Sequence, residues 1–196
     1  EIELSLLGAH QAANLHSVLA AVQTLRSMGW DIPDEAICRG AREVRIAARC
    51  EIAGRDPLFV LDTAHCPLSI RATLETVERL WPGRRAVVIF SCLIDKNQRG
   101  MLAEFAAWPP LERLIYCPAP SPRACPSEAL AQSCRELGLP FAAEASPEAA
   151  MARARAETAA GGRGALILAT GSFYTAEPLR RAFARAVAPC PGGEKP

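Results

Sequence analysis

The stretch Leu58–Pro67, Leu-Phe-Val-Leu-Asp-Thr-Ala-His-Cys-Pro, limits the possible folds more than any other part of the chain. Four large apolar residues in a row, Leu58 to Leu61, read as a buried strand. The run stops at Asp62, His65 stands three residues on, and Pro67 suits the first turn of a helix, where its missing N–H would have no partner anyway. A carboxylate and an imidazole therefore lie where a strand gives way to a helix. In open α/β sheets ligands bind along that edge, because the strands stop there and helix N-termini point outward. A capping Asp and a solvated His in an ordinary turn would read the same way, so the rest of the chain decides.

The same alternation repeats downstream. Cys50–Ala53 and Leu58–Leu61 flank Gly54-Arg55-Asp56, a hairpin turn signal. The pattern then predicts a helix over Pro67–Leu80, a strand over Ala86–Phe90, a helix over Gln98–Ala107 and a strand over Leu111–Cys117. Helix Pro126–Leu137, a short strand near Pro140–Ala142 and helix Pro147–Ala159 follow. Gly161-Gly162-Arg163-Gly164 reads as a turn into strand Ala165–Ala169, and helix Phe173–Val187 closes the series. Such alternation implies an α/β fold: a doubly wound, mostly parallel, Rossmann-like sheet with right-handed crossovers and helices on both faces.

Upstream the pattern differs. Glu1–Leu7 alternates like the end of a strand, and a helix runs from Gly8 to about Met28. Leu15, Val18, Leu19, Val22 and Leu25 form its expected buried stripe. His10, Gln11 and Asn14 fall three and four residues apart and share its first turn. Gly29 ends that helix and Pro33 opens a second, with Ile37, Ala41 and Val44 as its apolar side. Two helices cannot form a core alone, so residues 1–45 read as the end of a larger domain. Residues 46–188 then form the α/β domain and 189–196 a disordered tail.

Composition narrows the function. With 196 residues, half of them hydrophobic, the chain can bury roughly 70% of the surface exposed when unfolded. A net charge of +1 argues against a general nucleic-acid binder. No apolar run approaches the length of about 20 residues that spans a bilayer, and no signal peptide leads the chain, so a cytoplasmic location is expected. The eight cysteines lie singly and read as reduced small hydrophobes rather than zinc ligands. Of 22 basic residues only Lys96 and Lys195 are lysine. A lone interior lysine in an arginine-rich chain marks a place where a compact ammonium serves and a planar guanidinium does not. Asp62/His65, Asp95/Lys96 and Thr170/Ser172 each follow a predicted strand, and in a parallel sheet those ends share one edge.

Six blocks in order resemble the C-terminal part of the folylpolyglutamate synthase/dihydrofolate synthase family of the Mur ligase superfamily. They are Leu7-Gly8-Ala9-His10-Gln11-Ala12-Ala13-Asn14, Ala48-Arg49, Leu61–Pro67, Ile94-Asp95-Lys96-Asn97, Pro122-Arg123-Ala124 and Thr170-Gly171-Ser172-Phe173-Tyr174. The resemblance implies an ATP-dependent ligase that joins L-glutamate to a folate, or to dihydropteroate, through an acyl phosphate, and a monomer is expected. By position, Asn14 with His10 and Gln11 would hold adenine and Asp62 the ribose. Arg49 and His65 would lie near the phosphates, and Lys96, Ser172 and Tyr174 would hold glutamate. Mg²⁺ is expected to be bound mainly by residues outside this chain.

The sequence also departs from the family pattern. Thr63 and Cys66 stand where Gly and Asn are usual, Asn97 where a second Asp is usual, and Ala48 where Gly precedes the arginine. No Gly-x-x-x-x-Gly-Lys-Ser/Thr loop occurs, so there is no cradle for the β- and γ-phosphates, and the chain alone is expected not to ligate. Another amino-acid ligase of the superfamily, or a degenerate binding module of the same fold, are the alternatives.

Overall fold

The computed structural model describes residues 1–160 and 164–187. The turn expected at Gly161–Gly164 falls mostly outside these residues, and the tail expected at 189–196 wholly so. The first two helices are α1 (Ala9–Ser27) and α2 (Asp34–Glu43). Next come strands β1 (Glu51–Arg55) and β2 (Leu58–Leu61), helix α3 (Pro67–Leu80), β3 (Ala86–Phe90) and α4 (Gln98–Ala106). The chain continues through β4 (Leu111–Tyr116), α5 (Ser127–Glu136), β5 (Phe141–Ala143), α6 (Pro147–Ala160), β6 (Leu166–Thr170) and α7 (Phe173–Val187). The six strands form one sheet in the order β1-β2-β6-β3-β4-β5. Only β1 runs antiparallel to its neighbour.

Side-chain alternation along the strands feeds two cores. Val60, Val88, Phe90, Leu114 and Leu168 pack with Ile70, Leu74, Phe105 and Leu130 of α3, α4 and α5. Phe59, Leu61, Ile89 and Ile167 pack on the other face with Met151, Leu179 and Phe183 of α6 and α7. Phe59 stacks on Phe183 at 4.9 Å between ring centres, and Phe90 meets Phe105 edge-on at 5.3 Å. Helices thus cover both faces of a mostly parallel sheet, as the alternation of elements predicts.

Three expectations need correction. Glu1–Leu7 is not a strand: Ser5 fixes it to the end of α2 instead, its N–H donating to Ala41 O at 3.1 Å and its hydroxyl to Val44 O at 2.6 Å. The α1 stripe is not a buried one. Leu15, Leu19, Val22 and Leu25 are half-buried, and Val18 is 54% exposed. Leu15, Val18 and Val22 face Ile37 and Ala41 of α2 across an open cavity of about 460 Å³. The hairpin turn falls at Asp56-Pro57 rather than at Gly54, which lies inside β1 beside a bulge. A Cβ on Gly54 would stand 2.2 Å from the Phe183 ring, so the glycine serves close packing against α7.

Candidate active site

The order β2-β6-β3 sets three parallel strand ends side by side. Asp62 N–H donates to Ala169 O at 2.9 Å, and Ser91 N–H donates to Thr170 O at 3.1 Å. Gly171 has φ +104°, and a Cβ there would lie 2.0 Å from Ser91 O, so only glycine lets these two rim segments approach so closely. The segments carrying Asp62 and His65, Asp95 and Lys96, and Ser172 therefore leave the sheet at one border, although over a hundred residues separate the first from the last.

Asp62 is buried and braces a corner. Its Oδ2 accepts from Cys50 N–H at 2.9 Å, and its Oδ1 from Ala64 N–H at 2.7 Å and Thr73 O–H at 3.0 Å. A carboxylate offers about four acceptor positions, so roughly one remains for a ligand. The Thr63 hydroxyl donates to Ala48 O at 3.2 Å, closing the same corner. Ala48 and Cys50 adopt φ of +55° and +48°, where side chains other than glycine are strained. The left-handed turn that favours glycine is thus at Ala48, and Thr63 is not among the positive-φ residues. Between the two strained residues Arg49 projects into solvent. Burial and the neighbouring Asp62 carboxylate push the Cys50 thiol far up from its ordinary value, so it stays neutral.

Arg49 lines the α1–α2 cavity together with Gln11 and Asn14. There Asn14 Nδ2–H donates to Gln11 Oε1 at 3.0 Å, and Gln11 Nε2–H donates to His10 Nε2 at 2.9 Å. The relay orients the Asn14 amide, leaving its Oδ1 and one N–H unpaired by the described residues. His10 departs from expectation. Its ring folds back over Gly8 towards Thr76 of α3, and its buried Nδ1 has no partner among the described residues. A side chain at Gly8 would meet that ring at 2.5 Å, so the missing Cβ is what admits the imidazole. His10 thus positions Gln11 rather than facing the cavity itself.

At the start of α3, Ser69 supplies the cap. Its Oγ accepts from His65 N–H and Cys66 N–H, each at 3.1 Å, and donates to Cys66 O at 2.9 Å. Cys66 Sγ lies 3.2 Å from the same hydroxyl. That contact, with a smaller contribution from Lys96, holds the exposed Cys66 thiol below its ordinary value. His65 Nδ1 lies 3.0 Å from Thr63 O, which can only accept. Nδ1 therefore carries the hydrogen, and Nε2 is left as an acceptor on an exposed ring.

Lys96 Nζ lies 3.6 Å from Asp95 Oδ2, and Arg123 Nη1 lies 3.5 Å from Asp95 Oδ1. Arg123 reaches this place because Ile94 N–H donates to Arg123 O at 2.8 Å and Cys125 N–H to Cys92 O at 3.1 Å. Asn97 caps α4 by accepting from Gly100 N–H at 2.9 Å, a duty Asn and Asp perform alike. Ser172 is buried, and its Oγ accepts from Tyr174 N–H at 3.2 Å, which makes it the cap of α7 with its hydroxyl hydrogen still free to donate. Tyr174 is 48% exposed. Arg123 and Asp95 also sit on the rim, and neither is a ligand residue on the sequence reading; the Pro-Arg-Ala block is the one signal that points to Arg123. Among the described residues no group of three His, Cys, Asp or Glu side chains could hold a metal ion, and no helix is long and apolar enough to cross a membrane.

The fold is that of a Mur-type ligase domain. The model of the family described as "Mur ligase, glutamate ligase domain" matches residues 48–173, and the chain belongs to that family. Within it, the chain is 33% identical over 187 residues to a probable bifunctional folylpolyglutamate synthase/dihydropteroate synthase of Halobacterium salinarum, covering 95% of this chain and 22% of that protein. Mycobacterium tuberculosis folylpolyglutamate synthase, solved with ADP and AMPPCP, superposes with a TM-score of 0.80 at 29% identity, over 94% of this chain and 42% of that one. A UDP-N-acetylmuramate–L-alanine ligase of Gloeobacter violaceus is 45% identical over 108 residues, or 54% of this chain and 22% of that protein. The chain therefore spans well under half the length of these relatives.

Proposed function

We propose that this chain supplies the amino-acid side of an ATP-dependent ligase joining L-glutamate to a folate or dihydropteroate. The observation that supports the proposal is that the segments bearing His65, Lys96 and Ser172 leave the sheet at one border. Residues 1–45 belong, on this reading, to the neighbouring nucleotide-binding domain and residues 46–188 to the glutamate-binding one. The Asn14 amide, oriented by Gln11 and His10, offers the adjacent donor and acceptor that the edge of adenine requires. Arg49 matches phosphate oxygens, and the remaining acceptor position of Asp62 suits one ribose hydroxyl. ATP, when bound, supplies the phosphoryl group that activates the folate carboxylate.

The Lys96 ammonium pairs with a carboxylate of the incoming glutamate, and Ser172 and Tyr174 donate hydroxyl hydrogens beside it. His65 Nε2 stands ready as an acceptor near the reacting amine. Fixed donors at the rim stabilise charge that develops on oxygen, each worth about 3 kcal/mol at the transition state. Mg²⁺, on the family resemblance, would be held mainly by residues outside this chain. The resemblance to the muramate–alanine ligase favours a second reading, in which the amino acid is L-alanine and the acceptor a cell-wall precursor.

Titration calorimetry of L-glutamate and L-alanine against the protein, wild type and Lys96→Ala, tests this. Saturable glutamate binding weakened at least about tenfold by Lys96→Ala, the worth of one lost ion pair, is the expected result. Unchanged affinity in the variant removes Lys96 from the site, and preference for L-alanine selects the second reading. A coupled ADP-release assay with folate and glutamate should show no turnover by this chain alone.

A further inference from the structure

The border of the sheet opposite the rim carries a second open cavity, of about 480 Å³, where β2 and β6 begin. Arg55, Arg84 and Arg155 line it, with Asp56 and Thr158. Several other surface arginines are paired with carboxylates, Arg71 with Glu104, Arg99 with Glu136, Arg153 with Glu144 and Glu157, Arg180 with Glu51; what sets this cavity apart is that three arginines line it together. Among the described residues no carboxylate stands within ion-pair distance of any of the three arginines here, although Asp56 shares the cavity wall. Arg155 is half-buried and held in place, its guanidinium 5.5 Å over the Phe183 ring and its Nη1 3.5 Å from Asp56 O. The Thr158 hydroxyl donates back into its own helix and is not free.

Three such guanidinium groups in one cavity repel one another unless an anion joins them. The end of α3 lies nearby, and the partial negative charge of that helix C-terminus accounts for Arg84, whereas Arg155 stands before the last turn of α6. Arg55 belongs to β1 and has no helix end to serve. We propose that this cavity binds a small ligand bearing two or more carboxylate or phosphate groups, with Arg155 as the fixed anchor and Arg55 and Arg84 as mobile arms. Planar guanidinium forks match both kinds of oxyanion. The site lies away from the Lys96 rim and does not depend on the ligase reading.

Inorganic triphosphate and tricarballylate, titrated separately against the protein at low and moderate salt, distinguish the two sources of the anion. Saturable binding of either probe, weakening as salt rises, is expected. Arg55→Gln and Arg84→Gln should each lower affinity about tenfold, the loss of one charge-assisted contact, while Arg135→Gln, at an exposed position of α5, leaves it unchanged. Arg155→Gln also removes packing on Phe183, so Arg84→Gln, at an exposed position, is the deciding variant. No saturable binding, affinity unaffected by Arg55→Gln and Arg84→Gln, or loss only in Arg135→Gln overturns the proposal. Lowered stability of Arg84→Gln with no probe binding in the wild type would leave Arg84 as a helix-end partner only and likewise overturns it.

Discussion

Arg180 of α7 grips Glu51 of β1 with two parallel contacts, Nη1 to Oε1 and Nη2 to Oε2, the latter at 2.9 Å, across 129 residues of sequence. Glu51 Oε2 also accepts from Ala48 N–H at 2.8 Å. The helix that starts at Ser172 is thereby tied to the corner from which Arg49 projects.

Breaking that tie should cost stability. Glu51→Gln or Arg180→Gln is expected to lower unfolding free energy by about 1 kcal/mol, the upper range for a partly exposed pair. A double-mutant cycle in urea should show that the two substitutions are not additive. The Arg180 hydrogen bond, with the Ala48 N–H, holds the Glu51 carboxyl below its ordinary 4.5. A depressed carboxyl contributes stability above the unfolded value and loses it as pH falls through the folded value. The gap between wild type and Glu51→Gln should therefore be full at neutral pH and close progressively below 4.5.

Ala48→Gly should raise stability. The left-handed conformation at φ +55° costs an alanine about 1 kcal/mol and glycine nothing. The lost methyl packing offsets part of the gain, so a rise of up to about 1 kcal/mol is expected, read as a higher Tm. A fall in Tm would mean that the methyl's packing outweighs the strain.

Cys66 should be the fastest of the described cysteines to alkylate. It is exposed and its thiol is held below the ordinary value by Ser69, whereas burial pushes Cys117 up to about 12 and Cys134 up to about 11. Ser69→Ala should shift the pH midpoint of iodoacetamide labelling upward and destabilise α3 by about 1 kcal/mol through loss of the cap. Peptide mapping by mass spectrometry reads the first effect and thermal melting the second.

Asp62→Asn places an amide where three donors already point. At least one of Cys50 N–H, Ala64 N–H and Thr73 O–H then loses its acceptor in a buried corner, at a cost of about 2 kcal/mol. Urea denaturation checks it, and an unchanged midpoint would show that the corner relaxes around the amide.

Much of this architecture is legible in the chain, because its strands are short apolar runs bounded by Gly and Pro and its helices open on Pro, Ser or Asn. The helix Pro67–Leu80 and the strand Ala86–Phe90 match the structure to the residue for that reason. The shared rim is legible too, since it needs only that consecutive strands run parallel. Less accessible are side-chain directions that depend on partners distant in sequence. His10 turns to α3 because Gly8 leaves room, and Asp62 faces inward because Cys50 and Thr73 converge on it. The α1 stripe misleads, since helical periodicity shows which face is apolar and not what lies against it. Gly54 looks like a turn residue because packing under Phe183 leaves no local mark.

The position of β6 has a consequence for how the molecule comes into being. The strand that joins β2 to β3 is the last one of the sheet along the chain, so a nascent polypeptide emerging from the ribosome holds two separate strand groups with unsatisfied edges until residues 166–170 arrive. Translation that halts before Leu166 would leave not a smaller version of this domain but two sticky halves lacking their middle.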